Sequence, residues 1–166
     1  MEPQAERPAM PASYGIAQAM TGAMVPWADV VQRLIAARNY WVGTTRPDGR
    51  PHASPVWGLW FEDALHFCTD AASAKGRNLA ANPAVALHLE SGDDAVMLEG
   101  AVEVVTESGV LGRFVAAYHQ KYGIAPDLSS GAAPVYRVRL TLALAWREAD
   151  FPESATRWRF GQGGVR

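Results

Sequence analysis

The chain has a single cysteine, Cys68, in 166 residues, so no internal disulfide can staple it and its fold must rest on a packed core. It has no run of about 18 apolar residues that could cross a bilayer. Lysine is scarce, two against thirteen arginines, and the net charge of −2 leaves no broad basic field to draw it to a nucleic-acid backbone. Any anion site must therefore be local. The first twelve residues carry Glu2, Glu6 and three prolines, and residues 16–25 are interrupted by Gln18, Thr21 and Gly22, which does not fit a signal peptide. A cytoplasmic protein with no membrane or nucleic-acid partner is expected.

Several catalytic signatures are missing too. The histidines His52, His66, His88 and His119 show no metal-ligand spacing, so no metal site is expected. The glycines of 161–164 have neither a strand before them nor a helix after them, as phosphate loops require. There is no GxSxG elbow, and Cys68 has no histidine or helix start assigned beside it to make it a nucleophile.

What is present is a 49% hydrophobic chain of one-domain length. Residues 1–25 read as an arm or strap, 26–160 as the domain and 161–166 as a tail. Trp27, Val30, Val31, Leu34 and Ile35 recur at helical spacing after Pro26. Two runs of β-formers, 40–46 and 50–61, flank Pro47-Asp48-Gly49 and predict a hairpin. Strands follow at 65–69, 84–90 and around 96–104, with a short helix over 75–81 that Ser73 would cap. A longer helix over 107–122 ends at Gly123. Finally Tyr136, Val138, Leu140, Leu142, Leu144 and Trp146 alternate with more polar residues, which puts all six on one strand face with that face toward the core. About six strands with three peripheral helices, and no regular strand-helix alternation, indicate a mainly β fold, an antiparallel barrel.

Lys75 and Arg77 fall in the first turn of the short helix, where the dipole disfavours cations unless an anion intervenes. With Thr69, Ser73 and the exposed first-turn amides, 69–78 could hold a phosphate or carboxylate, although two solvated side chains would read the same way.

The segments Arg50-Pro-His-Ala-Ser-Pro-Val-Trp57, Leu65-His-Phe-Cys-Thr69, Ser73-Ala-Lys75-Gly-Arg77-Asn78-Leu79 and Ser154-Ala-Thr-Arg157-Trp158-Arg159-Phe160 resemble, in order and spacing, the pyridoxamine 5′-phosphate oxidase-like family. The resemblance implies a split β-barrel homodimer that binds FMN, or in a sister branch the deazaflavin coenzyme F420, between subunits. By position it implies that His52, Ala53, Ser54, Pro55, Val56 and Trp57 line the cofactor ring and ribityl chain. Thr69, Ser73, Lys75, Arg77 and Asn78 would hold its phosphate. Arg157, Trp158 and Arg159 would reach the partner's cofactor, or Trp158 would pack the dimer interface, from outside the barrel strands, so that losing Trp158 would leave the monomer fold largely intact. Ala53-Ser54-Pro55 and Leu59 stand in the strand where the vitamin B6 oxidase has a positive side chain, and Ala95 stands in place of its glutamine. The pattern therefore looks more like the F420- or FMN-dependent oxidoreductases common in actinobacteria, acting on a small molecule, than like a vitamin B6 oxidase. A non-catalytic protein storing a flavin, F420 or haem is the rival reading.

Overall fold

The computed structural model describes residues 3–11 and 22–161. Helix α1 (Trp27–Ala36) turns Val30 and Leu34 inward. Strands β2 (Asn39–Thr45) and β3 (Pro51–Phe61) pair antiparallel across the expected turn, where Gly49 takes a left-handed φ of 84° and donates its amide to the Arg46 carbonyl. Next come β4 (Ala64–Cys68), α2 (Ala74–Ala81), β5 (Ala84–His88) and β6 (Asp94–Val104). Then α3 (Ser108–Tyr122) ends on Gly123 at φ 78° and leads into β7 (Val135–Arg147). A 3-10 turn at Glu148–Asp150 follows.

Hydrogen bonding runs β7-β4-β3-β2-β5-β6 and back to β7, a closed antiparallel six-strand barrel, which bears out the expected mainly β class. Two strands lie outside that ring and outside the sequence reading. The expected arm contains β1 (Gln4–Glu6), which pairs with β8 (Thr156–Arg159), and β8 pairs with the second half of β7. Both are too short to carry a readable alternation. The other arm residues, 12–21, and tail residues 162–166 lie outside the described residues. No described helix is long and apolar enough to cross a membrane.

The alternation along β7 is broken, which corrects the sequence reading. Glu99 opposes Leu142 while Gly100 opposes Leu140, so Thr141 is an extra residue, a β-bulge. Tyr136 and Val138 face the core before it, but beyond it Ala143 and Ala145 do, both fully buried. Leu142, Leu144 and Trp146 are turned to the outer wall, half-buried. Close backbone approach makes this shift possible, because a Cβ on Gly100 would lie 2.1 Å from the Arg139 carbonyl oxygen.

Two apolar clusters result. One fills the barrel with Val42, Val56, Phe67, Leu87, Leu98 and Val138, closed at one end by α1. The other lies between α3 and the β3 wall, built on Leu59, Phe114, Tyr118 and Tyr122. Trp158 belongs to the first: it is 1% exposed, pairs with Ala143, and its ring centroid lies 5.3 Å from that of Trp27. The small Ala143 and Ala145 leave room for the indole. Trp158 is thus core packing within its own protomer, not a projecting plate that reaches a partner's cofactor.

Two outcomes follow from this packing. Gly100→Ala forces the β6 and β7 backbones apart and should lower the unfolding free energy by about 1–3 kcal/mol, read by denaturant titration. Trp158→Ala should cost about 3–5 kcal/mol in the same measurement, reversing the expectation of an intact monomer fold.

Candidate functional site

Helix α2 starts as its sequence predicts. Ser73 is extended at φ −66°, ψ 162°, and its hydroxyl accepts the Gly76 amide at 3.0 Å. The same hydroxyl lies 3.2 Å from the Thr69 hydroxyl, tying both ends of the loop. Asp70 caps the turn inside it, accepting the Ala72 amide at 2.6 Å. The loop can fold this closely over the helix only because residue 76 is glycine: a Cβ there would meet the Asp70 carbonyl oxygen at 2.4 Å. The amides of Ala74 and Lys75, at the first two helical positions, have no intrahelical acceptor, as at every helix start.

Lys75 leaves this turn toward the barrel, where its ammonium donates to the Ser54 hydroxyl on β3 at 3.1 Å. Two segments separated by twenty residues thus meet. Partial burial pulls the Lys75 ammonium below its ordinary pKa, and among the described residues no carboxylate counters that shift. An anion at this point would restore the charge's solvation.

Asn78 does other work. It is 3% exposed and its amide donates to the Thr44 hydroxyl at 2.9 Å, which docks α2 on β2. Thr44 in turn lies 3.5 Å from His52 Nδ1. Arg77 is exposed and donates to the Ala72 carbonyl, so it braces the loop.

Beside this cluster the barrel wall is hollowed into an open groove of about 510 Å³, lined by Gly43, Thr44, His52, Ala53, Ala86 and Gly100 among others. Gly43, Ala53, Ala86 and Gly100 leave part of this lining as nearly bare backbone that a planar ligand could approach, beside larger residues such as Thr45, Glu99 and Thr141. Of the expected ring-lining residues, His52 and Ala53 line it. Ser54 bonds to Lys75, Pro55 is exposed further along β3, and Val56 points into the core at 8% exposure. Trp57 stacks nearly parallel on Tyr122 of α3, centroids 4.7 Å apart. The wall contributed by Gly43, Ala86, Glu99, Gly100 and Thr141 was missed from sequence, although a glycine inside β2 is itself a mark of close approach.

Arg157 and Arg159 lie on the outer wall of β8, both bonded to Glu6 of β1, whose carboxyl they hold below the usual range. Counted across the paired positions Ala86, Glu99, Leu142 and Arg159, Arg159 stands about 14 Å from Ala86, at the β7 edge of the groove, whereas Lys75 meets β3 on its other side, so one protomer does not bring them together. The histidines do not converge. His66 is buried at 1% exposure on β4 with Nε2 unpaired, and burial depresses its pKa, while His88 is exposed and stacked on Trp41. Burial raises the Cys68 thiol, which keeps it protonated.

Solved structures with this fold include a conserved hypothetical protein, Rv2991, from Mycobacterium tuberculosis, at 25% identity and TM-score 0.65, covering 80% of this chain and 91% of that one. An F420 reductase matches at 27% identity and TM-score 0.55, covering 68% and 94%. A heme binding protein from Mycobacterium smegmatis matches at 21% and TM-score 0.57, covering 75% and 55%, which bears on the fold alone. No curated protein matches significantly. The family model described as pyridoxamine 5′-phosphate oxidase matches residues 28–148. With the closed antiparallel barrel and the conjunction of β3 with the Ser73–Lys75 turn, that match establishes that the chain belongs to the pyridoxamine 5′-phosphate oxidase family.

Proposed function

We propose that this protein is an oxidoreductase that uses a deazaflavin or flavin, F420 in preference to FMN, to exchange a hydride with a small organic molecule. The observation that carries the reading is the 3.1 Å contact of Lys75 with Ser54 beside a groove whose lining includes Gly43, Ala53, Ala86 and Gly100. The donor set fits a phosphate ester: one ammonium, the Thr69, Ser73 and Ser54 hydroxyls, and two first-turn amides. The flat groove fits a fused ring. When bound, such a cofactor supplies the hydride chemistry itself.

The chain's residues then bind and orient. Lys75 fixes the phosphate, His52 and Ala53 bound the ring on one side, and the small residues of β2 and β5 let it lie against the backbone. The preference for F420 follows from two positions. Ser54 is taken up by Lys75 rather than offering a charge of its own, and Ala95 is buried opposite Trp146. The 27% identical F420 reductase supports the same choice. A second reading is storage of a flat ligand without turnover, with His52 at the groove.

The same reading makes the protein a homodimer. The bulge turns Leu142, Leu144 and Trp146 outward beside Met97 and Trp41, giving half-buried apolar side chains next to the groove. A second copy seated there would complete the groove.

Fluorescence titration with F420 and with FMN, alongside the protein's own absorption spectrum, tests the first part. Binding of F420 at micromolar or tighter concentration is expected, and Lys75→Ala should weaken it by about 1.5–3 kcal/mol. A haem spectrum, or no affinity for either cofactor, would overturn the reading. Leu144→Glu should convert the dimer to a monomer in size-exclusion chromatography with light scattering, since a charge directly inside such an interface is left without a partner.

A further inference from the structure

At the other end of β3 the fold assembles two cations that the cofactor reading does not use. Tyr122 of α3 accepts the Gly58 amide at 2.9 Å, and its hydroxyl lies 2.7 Å from the Gly58 carbonyl and 2.8 Å from that of Arg38, joining α3, β3 and the start of β2. Lys121, the preceding residue on α3, donates to the Tyr40 hydroxyl at 3.2 Å and to the Gly58 carbonyl at 3.1 Å. The Arg38 guanidinium is exposed, 5.3 Å from the Trp57 ring centroid and 5.6 Å from that of Tyr122. Lys121 lies 5.4 Å from the same Tyr122 centroid. Among the described residues neither cation has a carboxylate within salt-bridge distance, although nine other pairs do form.

We infer that Arg38 and Lys121, with the Trp57 ring as a wall, form a binding site for the anionic group of a planar organic ligand. Two like charges held near each other are unfavourable unless an anion joins them, and Arg38 supplies a planar fork while Lys121 supplies a point charge. Trp57 shares the outer face of β3 with Ala53 and stands four residues along, about 13 Å from the groove. Identifying the ligand as the substrate rests on the proposed oxidoreductase function. Anion binding at this site does not.

The groups facing Lys121 are Arg38, Tyr40 and Tyr122. Burial raises both phenols, so they stay protonated near neutral pH. Burial and Arg38 bring the Lys121 ammonium down to about 8.

Calorimetric titration of the full chain with benzoate, benzamide and acetate tests the site. Benzoate should bind at least about tenfold more tightly than either, since benzamide lacks the charge and acetate the plane. Arg38→Gln, at an exposed position, should weaken benzoate binding about tenfold while leaving F420 and FMN affinity within about twofold. Benzoate affinity should fall between about pH 7 and pH 9.5 as Lys121 loses its proton, and Lys121→Arg should hold it level over that range. Equal binding of benzoate and benzamide, or unchanged benzoate affinity in Arg38→Gln, would overturn the inference. Absence of cofactor binding with benzoate binding intact would remove the oxidoreductase reading and leave the anion site standing.

Discussion

The pairing of β6 with β7 is the constraint on which the rest of the molecule depends. It closes the ring of strands, and it holds a one-residue slip between Glu99 and Gly100 that reverses which side of β7 faces inward. Side chains alternate with a period of two, so one extra residue exchanges every later position between core and surface. Ala143 and Ala145 arrive inside, where they make space for Trp158, and Leu142, Leu144 and Trp146 arrive outside. Core, outer wall and groove thus follow from one backbone irregularity, which glycine at position 100 permits.

The site inherits its geometry from the same frame. β2 and β3 are held side by side in the barrel, and α2 is fastened to them through the buried contact of Asn78 with Thr44. An unpaired amide at that depth would be costly, so this contact fixes the helix with little freedom. The Ser73 cap then sets the direction in which Lys75 leaves the first turn, and Ser54 receives it. An anion held between these groups would meet side chains already in place, with no further ordering on binding.

Much of this was legible beforehand. The hairpin around Gly49, the Ser73 cap and the end of α3 at Gly123 are local features, decided by residues a few positions apart. The motif segments around Ser54 and Lys75 belong to the family's pattern and were readable as such. The neighbours of Asn78 in sequence point to ligand binding, and only its burial against Thr44 reveals a docking role. Trp158 departs from its sequence expectation for a similar reason: four residues of β8 are too few to announce a strand, and its packing partner Trp27 lies 131 positions away.

By itself, then, the sequence determined the strand and helix segments, the family's motif segments and the absence of a disulfide or a broad basic field, because each depends on local spacing or on composition. Tertiary structure alone decided which face of β7 is core, where Trp158 lies, how the groove is walled by β2, β5 and β6, and that Arg38 and Lys121 gather around Tyr122. Those properties arise from contacts between residues far apart in the chain, where a single bulge changes the side a residue faces without leaving a mark in the alternation of polar and apolar letters.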